Sequence, residues 1–383
     1  MTGFVLAIVA SASPVFAPAA ITPVFSRGES GYSAFRIPGI VAAQNDSLVA
    51  VAEGRKFGCG DFEGQHDIVS KTSFDGGKTW GPLVVVADPV RDFRCVNASM
   101  LSSGRCQFWD PTPVYDAKRK QLLLMVAYAS TDDYSGRLQG KQAILVYHSH
   151  DAGLTWAFKS NISSVAGPPP RISPANGHGV QIVPSGRLLI PAYGGAGVPM
   201  HAPVSHTYYS DDGGDSWRLS PEVPFSAGTA EPVLAQVPGA AERVAFNFRI
   251  ENRTMSGCGG YKHCRASSFS DDGGITWSSP RAEPSLPDPV CKGGIASGAA
   301  AGELWFANDA TTTDRTHVTL RHSRDGGASW DAPGLLLWPG AAGYVDLIMH
   351  GSKAVAVAFE NATCSISVAV VPVGQGAAAV EEN

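Results

Sequence analysis

Apolar residues along this chain gather in short β-rich runs rather than at helical spacing. Ala143-Ile144-Leu145-Val146-Tyr147, His317-Val318-Thr319-Leu320 and Ala354 to Phe359 are examples. Long stretches with a helical period are hard to find, and 43 glycines and 27 prolines punctuate the chain. The pattern predicts many short strands joined by turns. One polar pattern, Ser-x-Asp-x-Gly-x-x-Trp, interrupts these runs five times, starting at Ser73, Ser149, Ser210, Ser270 and Ser323. A strand-forming run precedes each copy and a Pro-containing segment follows it. The copies are therefore expected to be hairpin turns with a structural role. In such a turn the Asp accepts bonds from nearby backbone N–H groups and Gly supplies positive φ. The Trp folds back as an apolar plug between neighbouring strands.

Successive copies start 76, 61, 60 and 53 residues apart. That period suits a four-stranded propeller blade with its loops. With no linker-like stretch inside, residues 21–383 read as one domain. Composition is that of an ordinary globular protein, 44% apolar and 16% charged, with net charge −5. No basic block supplies phosphate neutralisation, which argues against a nucleic-acid partner. Glycine-rich stretches lack the strand-to-helix context of a nucleotide site. The ten His show no zinc-type spacing, and Gly257 to Cys264 is too short to hold a metal alone. No cofactor or metal is expected.

Residues 1–20 read as a signal peptide or a disordered tail. Phe4 to Ala10 supply an apolar centre without a basic n-region, and Pro18 disfavours cleavage after Ala17. Pro14, Pro18 and Pro23 break the segment too early for a membrane span. Five of the nine Asn open N-x-Ser/Thr sequons: Asn45, Asn97, Asn161, Asn252 and Asn361. That excess favours a secreted or lumenal protein. Of seven cysteines, Cys95/Cys106 and Cys258/Cys264 are close enough to pair across loops. Cys59, Cys291 and Cys364 leave at least one odd thiol, with the connectivity open.

The five boxes resemble the Asp-box repeats of the sialidase family, from about Pro23 to Glu360. That resemblance implies an all-β fold, a six-bladed β-propeller of four-stranded antiparallel blades. Phe35-Arg36-Ile37-Pro38 resembles the family's first arginine signature, one of three that bind the substrate carboxylate. Phe246-Asn247-Phe248-Arg249 and Asp314-Arg315 match the second and third, with Arg243 and Arg253 as neighbours of Arg249. Arginine suits the task because its planar fork pairs with a carboxylate through charge-assisted hydrogen bonds.

Tyr344, in Gly343-Tyr344-Val345-Asp346-Leu347, resembles the family nucleophile, and Glu231 its partner base. Gln236 stands where a second Glu is common, and Glu222 and Glu242 are the nearby alternatives. A free phenol, with a pKa of about 10, needs such a base. Sialic acid carries its own carboxylate at the anomeric carbon, so a neutral phenol approaches where an anionic nucleophile would be repelled. Asp61, 25 residues after Arg36, is the expected acid/base on a loop, with Glu63 and Asp67 as competitors. Asp67 reads better as a structural residue at a strand start. Glu53 and Arg55 are expected to line the pocket, Arg55 reaching a ring hydroxyl or its carboxylate neighbour.

Glu360 resembles a late glutamate that orients the first arginine. Trp109-Asp110-Pro111 resembles a pocket-rim segment, with Asp where Asn is common. Gly177 to Tyr193 follows the family's fourth-blade pattern, with Gln181 and Tyr193 expected toward the substrate. The implied function is a retaining exo-α-sialidase acting on sialylated glycans, glycoproteins or glycolipids. The alternatives are a trans-sialidase, a hydrolase for a related ulosonic acid, and a sialic-acid-binding propeller without turnover.

Overall fold

The computed structural model describes residues 20–93, 106–129, 142–167, 172–194, 203–251, 263–362 and 364–373. These hold twenty-four strands and one short α-helix, Pro89–Phe93. Strand β1 (Ala20–Phe25) precedes a first antiparallel set made of β2 (Ala34–Ala42), β3 (Leu48–Arg55), β4 (His66–Ser73) and β5 (Val84–Ala87). The second set is β6 (Gln107–Asp116), β7 (Gln121–Ala129), β8 (Gln142–Ser149) and β9 (Ala157–Asn161). In the third, β10 (Ile172–Pro174) and β11 (Val180–Gln181) share the inner place beside β12 (Leu188–Gly194), β13 (Val204–Ser210) and β14 (Arg218–Leu219). The fourth is β15 (Thr229–Gln236), β16 (Val244–Ile250), β17 (Cys264–Ser270) and β18 (Arg281–Pro287).

The long strand β22 (Leu335–His350) serves two sets. Its first half completes a fifth with β19 (Gly294–Ser297), β20 (Leu304–Asp309) and β21 (Thr316–Ser323). Its second half starts a sixth with β23 (Ala354–Asn361), β24 (Ser365–Pro372) and β1. The inner strands β2, β6, β11, β15, β19 and β22 each pack on the next, and β22 returns to β2. The molecule is a β-propeller whose pairing divides into six blades. Segment 177–193, matched to a fourth-blade pattern, lies in the third blade counted from β2, because only two four-stranded sets precede it.

Apolar cores fill the spaces between blades. Phe25, Phe35 and Leu48 meet Ala358 and Val368 across the first and sixth blades. Leu123 and Val146 meet Leu188, Tyr208 and Trp217 across the second and third. Each fully buried large side chain contributes about 1.5–3 kcal/mol of transfer free energy, so the ring is held by contacts between blades. The pairing of β1 with β24, residue 20 against 370, ties the two ends of the described chain into one sheet.

The five boxes occupy the turns β4–β5, β8–β9, β13–β14, β17–β18 and β21–β22. In each the Ser hydroxyl donates to the Asp carboxylate at 2.7–2.8 Å. Backbone N–H groups and a Thr or Ser hydroxyl three or four residues on complete the turn. The sixth blade has no box because its third and fourth strands, β24 and β1, are not consecutive in the chain. Leu48 pairs with Ser73 at the box end of β3 and β4, while Arg55 pairs with His66 at the other. The boxes and the loop carrying Asp61 therefore lie at opposite ends of the ring.

Candidate active site

The inner strands lose their ladder at the end opposite the boxes. Register shifts fall between Arg36 and Gly39, Trp109 and Thr112, Ala230 and Val233, and Ala342 and Val345. In three of them a residue of positive φ stands directly before a proline: Ile37 (59°), Asp110 (54°) and Glu231 (41°). Proline withholds a donor and is tolerated at edges and bulges. A bulge re-aims the side chains beside it, and left-handed backbone at non-glycine residues is costly and clusters at functional sites. At Gly343, before Tyr344, a Cβ would stand 2.2 Å from the Glu360 carboxylate. Only glycine admits that approach.

These irregularities bring Arg36, Arg249, Arg315, Glu231, Tyr344, Glu360 and Asp61 together. Tyr344, only 8% exposed, is the common neighbour of the three arginines. The guanidinium carbons of Arg36 and Arg315 lie 5.4 and 5.7 Å from its ring centroid. Arg249 donates Nη1–H to the Tyr344 hydroxyl at 3.0 Å. The Tyr344 hydroxyl donates to Glu231 Oε1, and Arg249 also donates to Glu231 Oε2. Burial pushes the Tyr344 phenol far above its ordinary pKa, Glu231 adds to the rise, and Arg249 opposes it. Glu360 accepts from Arg36 Nε and Nη2, each at 3.2 Å, and from the Ile37 amide at 2.8 Å. Arg249 also pairs with Glu251 at 2.5 Å. Among the described residues no carboxylate pairs with Arg315, which donates to the Val290 carbonyl at 3.0 Å.

Asp61 sits on the β3–β4 loop and bridges two arginines, Arg36 Nη1 and Arg55 Nη1, each at 2.9 Å. Burial pushes its carboxyl up, but Arg55 and Arg36 outweigh burial and hold it below the ordinary aspartate range. Glu63 folds back onto the Gly60 amide instead. Asp67 is buried against Tyr32, Gln65 and Lys56, as befits a structural residue at a strand start.

Glu53 and Arg55, expected to line the pocket, are fully buried. Arg55 spends its guanidinium on Glu53 at 2.7 Å, on the Cys59 carbonyl and on Asp61, so it reaches its carboxylate neighbours from beneath. Asp110 forms the adjoining wall, accepting from Ser173 at 3.0 Å, Asn176 at 3.1 Å and Tyr193 at 3.4 Å. Burial first, then Glu53, pushes its carboxyl up to about 7. Gln181 does not join the cluster, which corrects the expectation that it faces substrate. Its amide bonds Ala117, Asp116 and Gly186 at the box end of β6. Asp116 is six residues along that strand from Asp110, ~20 Å at strand rise. Glu242 also lies outside the cluster, beside the Ser185 hydroxyl and Gly273, and Glu222 is an exposed residue whose charge acts on His206.

Sequence reasoning passed over three groups. Gln107 donates to the carbonyls of Asp61 and Gly64, both at 2.9 Å. Cys291 is free and buried, packed with Ile37 and Tyr344. Below Tyr344, Asp346 joins His178 at 2.9 Å, Lys292 at 3.6 Å and the Ile40 amide at 2.9 Å, linking four blades at the axis. Asp346 lies in the Tyr-x-Asp-Leu motif, which was the available signal. Cys59 pairs with Cys364, and Cys106 and Cys264 are also disulfide-bonded. Cys95, Cys258, Asn97, Asn252, Arg253 and the 1–19 segment lie outside the described residues. Among the described residues no cluster of His, Cys, Asp and Glu is suited to a metal ion, and no helix is long and apolar enough to cross a membrane.

A family model described as a BNR repeat-like domain matches residues 46–357. The chain belongs to that family, and within it to the sialidase-type β-propellers. It is similar to a sialidase of Micromonospora viridifaciens, 28% identical over 342 residues, covering 84% of this chain and 48% of that protein. A sialidase of Bacteroides fragilis is 27% identical over 364 residues, covering 89% of this chain and 62% of that one. The chain thus spans about half to three-fifths of the length of these relatives. Among solved structures, the Hadza microbial sialidase Hz136 superposes with a TM-score of 0.79 at 24% identity, covering 92% of this chain and 68% of the other.

Proposed function

We propose that this protein is a retaining exo-α-sialidase that releases terminal sialic acid from glycoproteins, glycolipids or oligosaccharides. The observation that carries the proposal is the place of Tyr344: a neutral phenol, hydrogen-bonded to Glu231, with all three arginines around it. Such a cationic collar suits a substrate whose carboxylate sits on the reacting carbon. Arg315, with no carboxylate partner among the described residues, favours the same anion.

The substrate carboxylate would compete with Asp61 for Arg36. Losing one of its two arginines, Asp61 rises toward the working pH range and becomes able to carry a proton. It protonates the glycosidic oxygen as the leaving group departs. Tyr344 passes its proton to Glu231 and attacks the anomeric carbon, with Arg249 supporting the developing phenolate. Water then gives a proton to Asp61 and displaces Tyr344, which recovers its proton from Glu231. Two displacements at one carbon give net retention.

The disulfides, together with exposed Asn45 and Asn161, support a secreted or lumenal location. The test is release of free sialic acid from an α-sialoside by wild type and Tyr344→Phe. Wild type is expected to turn over, and the variant to lose roughly 10³-fold or more in kcat. Properly folded wild type that binds sialic acid without releasing it overturns the proposal, and the anomer first formed, followed by NMR, decides retention.

A further inference from the structure

The loop that carries Asp61 joins β3 to β4 and contains Gly58, Gly60 and Gly64. Left to itself, so glycine-rich a segment samples many conformations. Its base is closed by the Lys56 amide on the Gln65 carbonyl at 3.1 Å. From beneath, Arg55 holds the Cys59 carbonyl at 2.6 Å, and Gln107 holds the carbonyls of Asp61 and Gly64. A fourth restraint is covalent: Cys59, two residues before Asp61, is bonded to Cys364 across 305 residues of sequence.

Cys364 belongs to the turn between β23 and β24. Its amide donates to the Asn361 carbonyl at 3.1 Å, and its own carbonyl accepts from the Phe35 amide at 2.9 Å. Glu360, just before that turn, holds Arg36 from one side, and Asp61 holds it from the other. The disulfide therefore joins the two backbone segments whose carboxylates flank Arg36. This matters once substrate arrives. In the proposed reaction the substrate carboxylate takes Arg36 from Asp61, and with it goes one of the two ion pairs that hold the Asp61 side chain.

Resting on that reading of Asp61, we propose that the Cys59–Cys364 disulfide is a positioning element for acid/base catalysis. It keeps the Asp61 loop at a fixed distance from the Glu360 turn when the ion pair to Arg36 is exchanged for substrate. The acid then stays over the glycosidic oxygen. The two cysteines do not touch the reacting atoms. A displacement of about 1 Å in a reacting group can cost ~10² in rate, so the effect is expected in proton donation and not in carboxylate binding.

The experiment compares wild type with C59S/C364S on two substrates, an aryl α-sialoside and a sialyllactose. An aryloxide leaves with little protonation, whereas a sugar alkoxide requires it. The loss of kcat/KM on sialyllactose is expected to be about 10- to 100-fold, and at least five times larger than the loss on the aryl sialoside. An equal loss on both, or none on either, overturns the proposal. Should the double variant fail to fold, the same split is sought in wild type treated with a mild dithiol. That reagent converts the disulfide to two thiols and is itself oxidised to a cyclic disulfide. Cys59 and Cys364 are partly exposed while Cys106 and Cys264 are buried, so this bond should open first, as thiol alkylation and mass mapping would register. Reoxidation should restore the sialyllactose rate. Wild type silent on both substrates refutes the sialidase reading itself. The positional claim is then decided by amide exchange over residues 57–64, which must quicken when the bond is opened; unchanged exchange overturns it.

Discussion

At the box end of the ring, Asp75 takes bonds from Ser73, Lys78 and Thr79, none more than four residues away. At the opposite end Arg36 meets Glu360 across 324 residues, and Tyr344 meets Glu231 across 113. The same strands supply both ends. One end repeats a self-contained turn five times, and in every copy the Asp carboxylate takes hydrogen bonds from its own turn. The other end interrupts the inner strands β2, β6, β15 and β22 with bulges and gathers charges from different blades. The contrast teaches where each property resides: the shape of each turn depends on contacts the chain makes with itself nearby, chemistry on closure of the whole ring.

The sharpest way to break this contrast is at Glu231. Glu231→Gln keeps the size and an acceptor for the Tyr344 hydroxyl but removes the base. We expect kcat on an aryl α-sialoside to fall by ~10²–10⁴, with KM within a few-fold because the arginines remain. Arg249 retains Glu251, so Tm should move by a few degrees at most. Steady-state kinetics beside a thermal melt would check it. A variant with near-normal kcat would remove Glu231 from the chemistry.

How much of this was legible in the sequence follows the same division. The boxes were plain because each is complete within eight residues, and they implied the propeller. The arginines, Tyr344, Glu231 and Asp61 were legible through short signatures, and the ring brings them together. The prolines at 38, 111 and 232 carried a further signal, since each marks a bulge at a cluster residue. What was illegible depends on closure. Nothing near Cys59 names Cys364, 305 residues away, as its partner. Gln181 lies in a two-residue strand whose place along the axis, at the box end beside Asp116, is set by its pairing with β12. The joining of Ile40, His178, Lys292 and Asp346 needs four blades in place, and neither spacing nor composition foretells it.

A middle-sized effect is expected at Asp110, where a site-end carboxyl is held near 7 by burial and by Glu53. A carboxyl raised in the folded state keeps its proton while the unfolded chain has lost it, so its contribution to stability is present at low pH and fades as pH rises from about 4 to about 7. Asp110→Asn removes that dependence and preserves the geometry, because Asn can accept from Asn176 while donating to the Ser173 or Tyr193 hydroxyl. The variant should melt several degrees above wild type at pH 7.5, at about 2–4 °C per kcal/mol, and close to it at pH 4. Calorimetric melts across that range decide the matter. A difference that does not grow with pH would show that Asp110 is not the titrating group.

The smallest effect, and the one that completes the contrast, belongs to Asp75. Its hydrogen bonds with Thr79, Ser73 and Lys78 hold the carboxyl down at about 2. A group held low in the folded state stabilises above its unfolded pKa of about 4, and that contribution is lost as pH falls from about 4 to about 2. Asp75→Ala should therefore lower Tm by a few degrees at pH 7, with the difference from wild type shrinking below pH 4. The carboxylate is exposed, so salt and solvent screen it and the shift stays small. Turnover per folded molecule should stay within about twofold, since a ~1 kcal/mol change at the far end of β4 leaves Asp61 held by its own loop contacts. Asp212→Ala, in the third blade, should give the same small shift, because the turn is the same and its partners are its own. If either substitution cuts kcat as deeply as Glu231→Gln while Tm is unmoved, the two ends are coupled through the strands, and the separation of shape from chemistry fails.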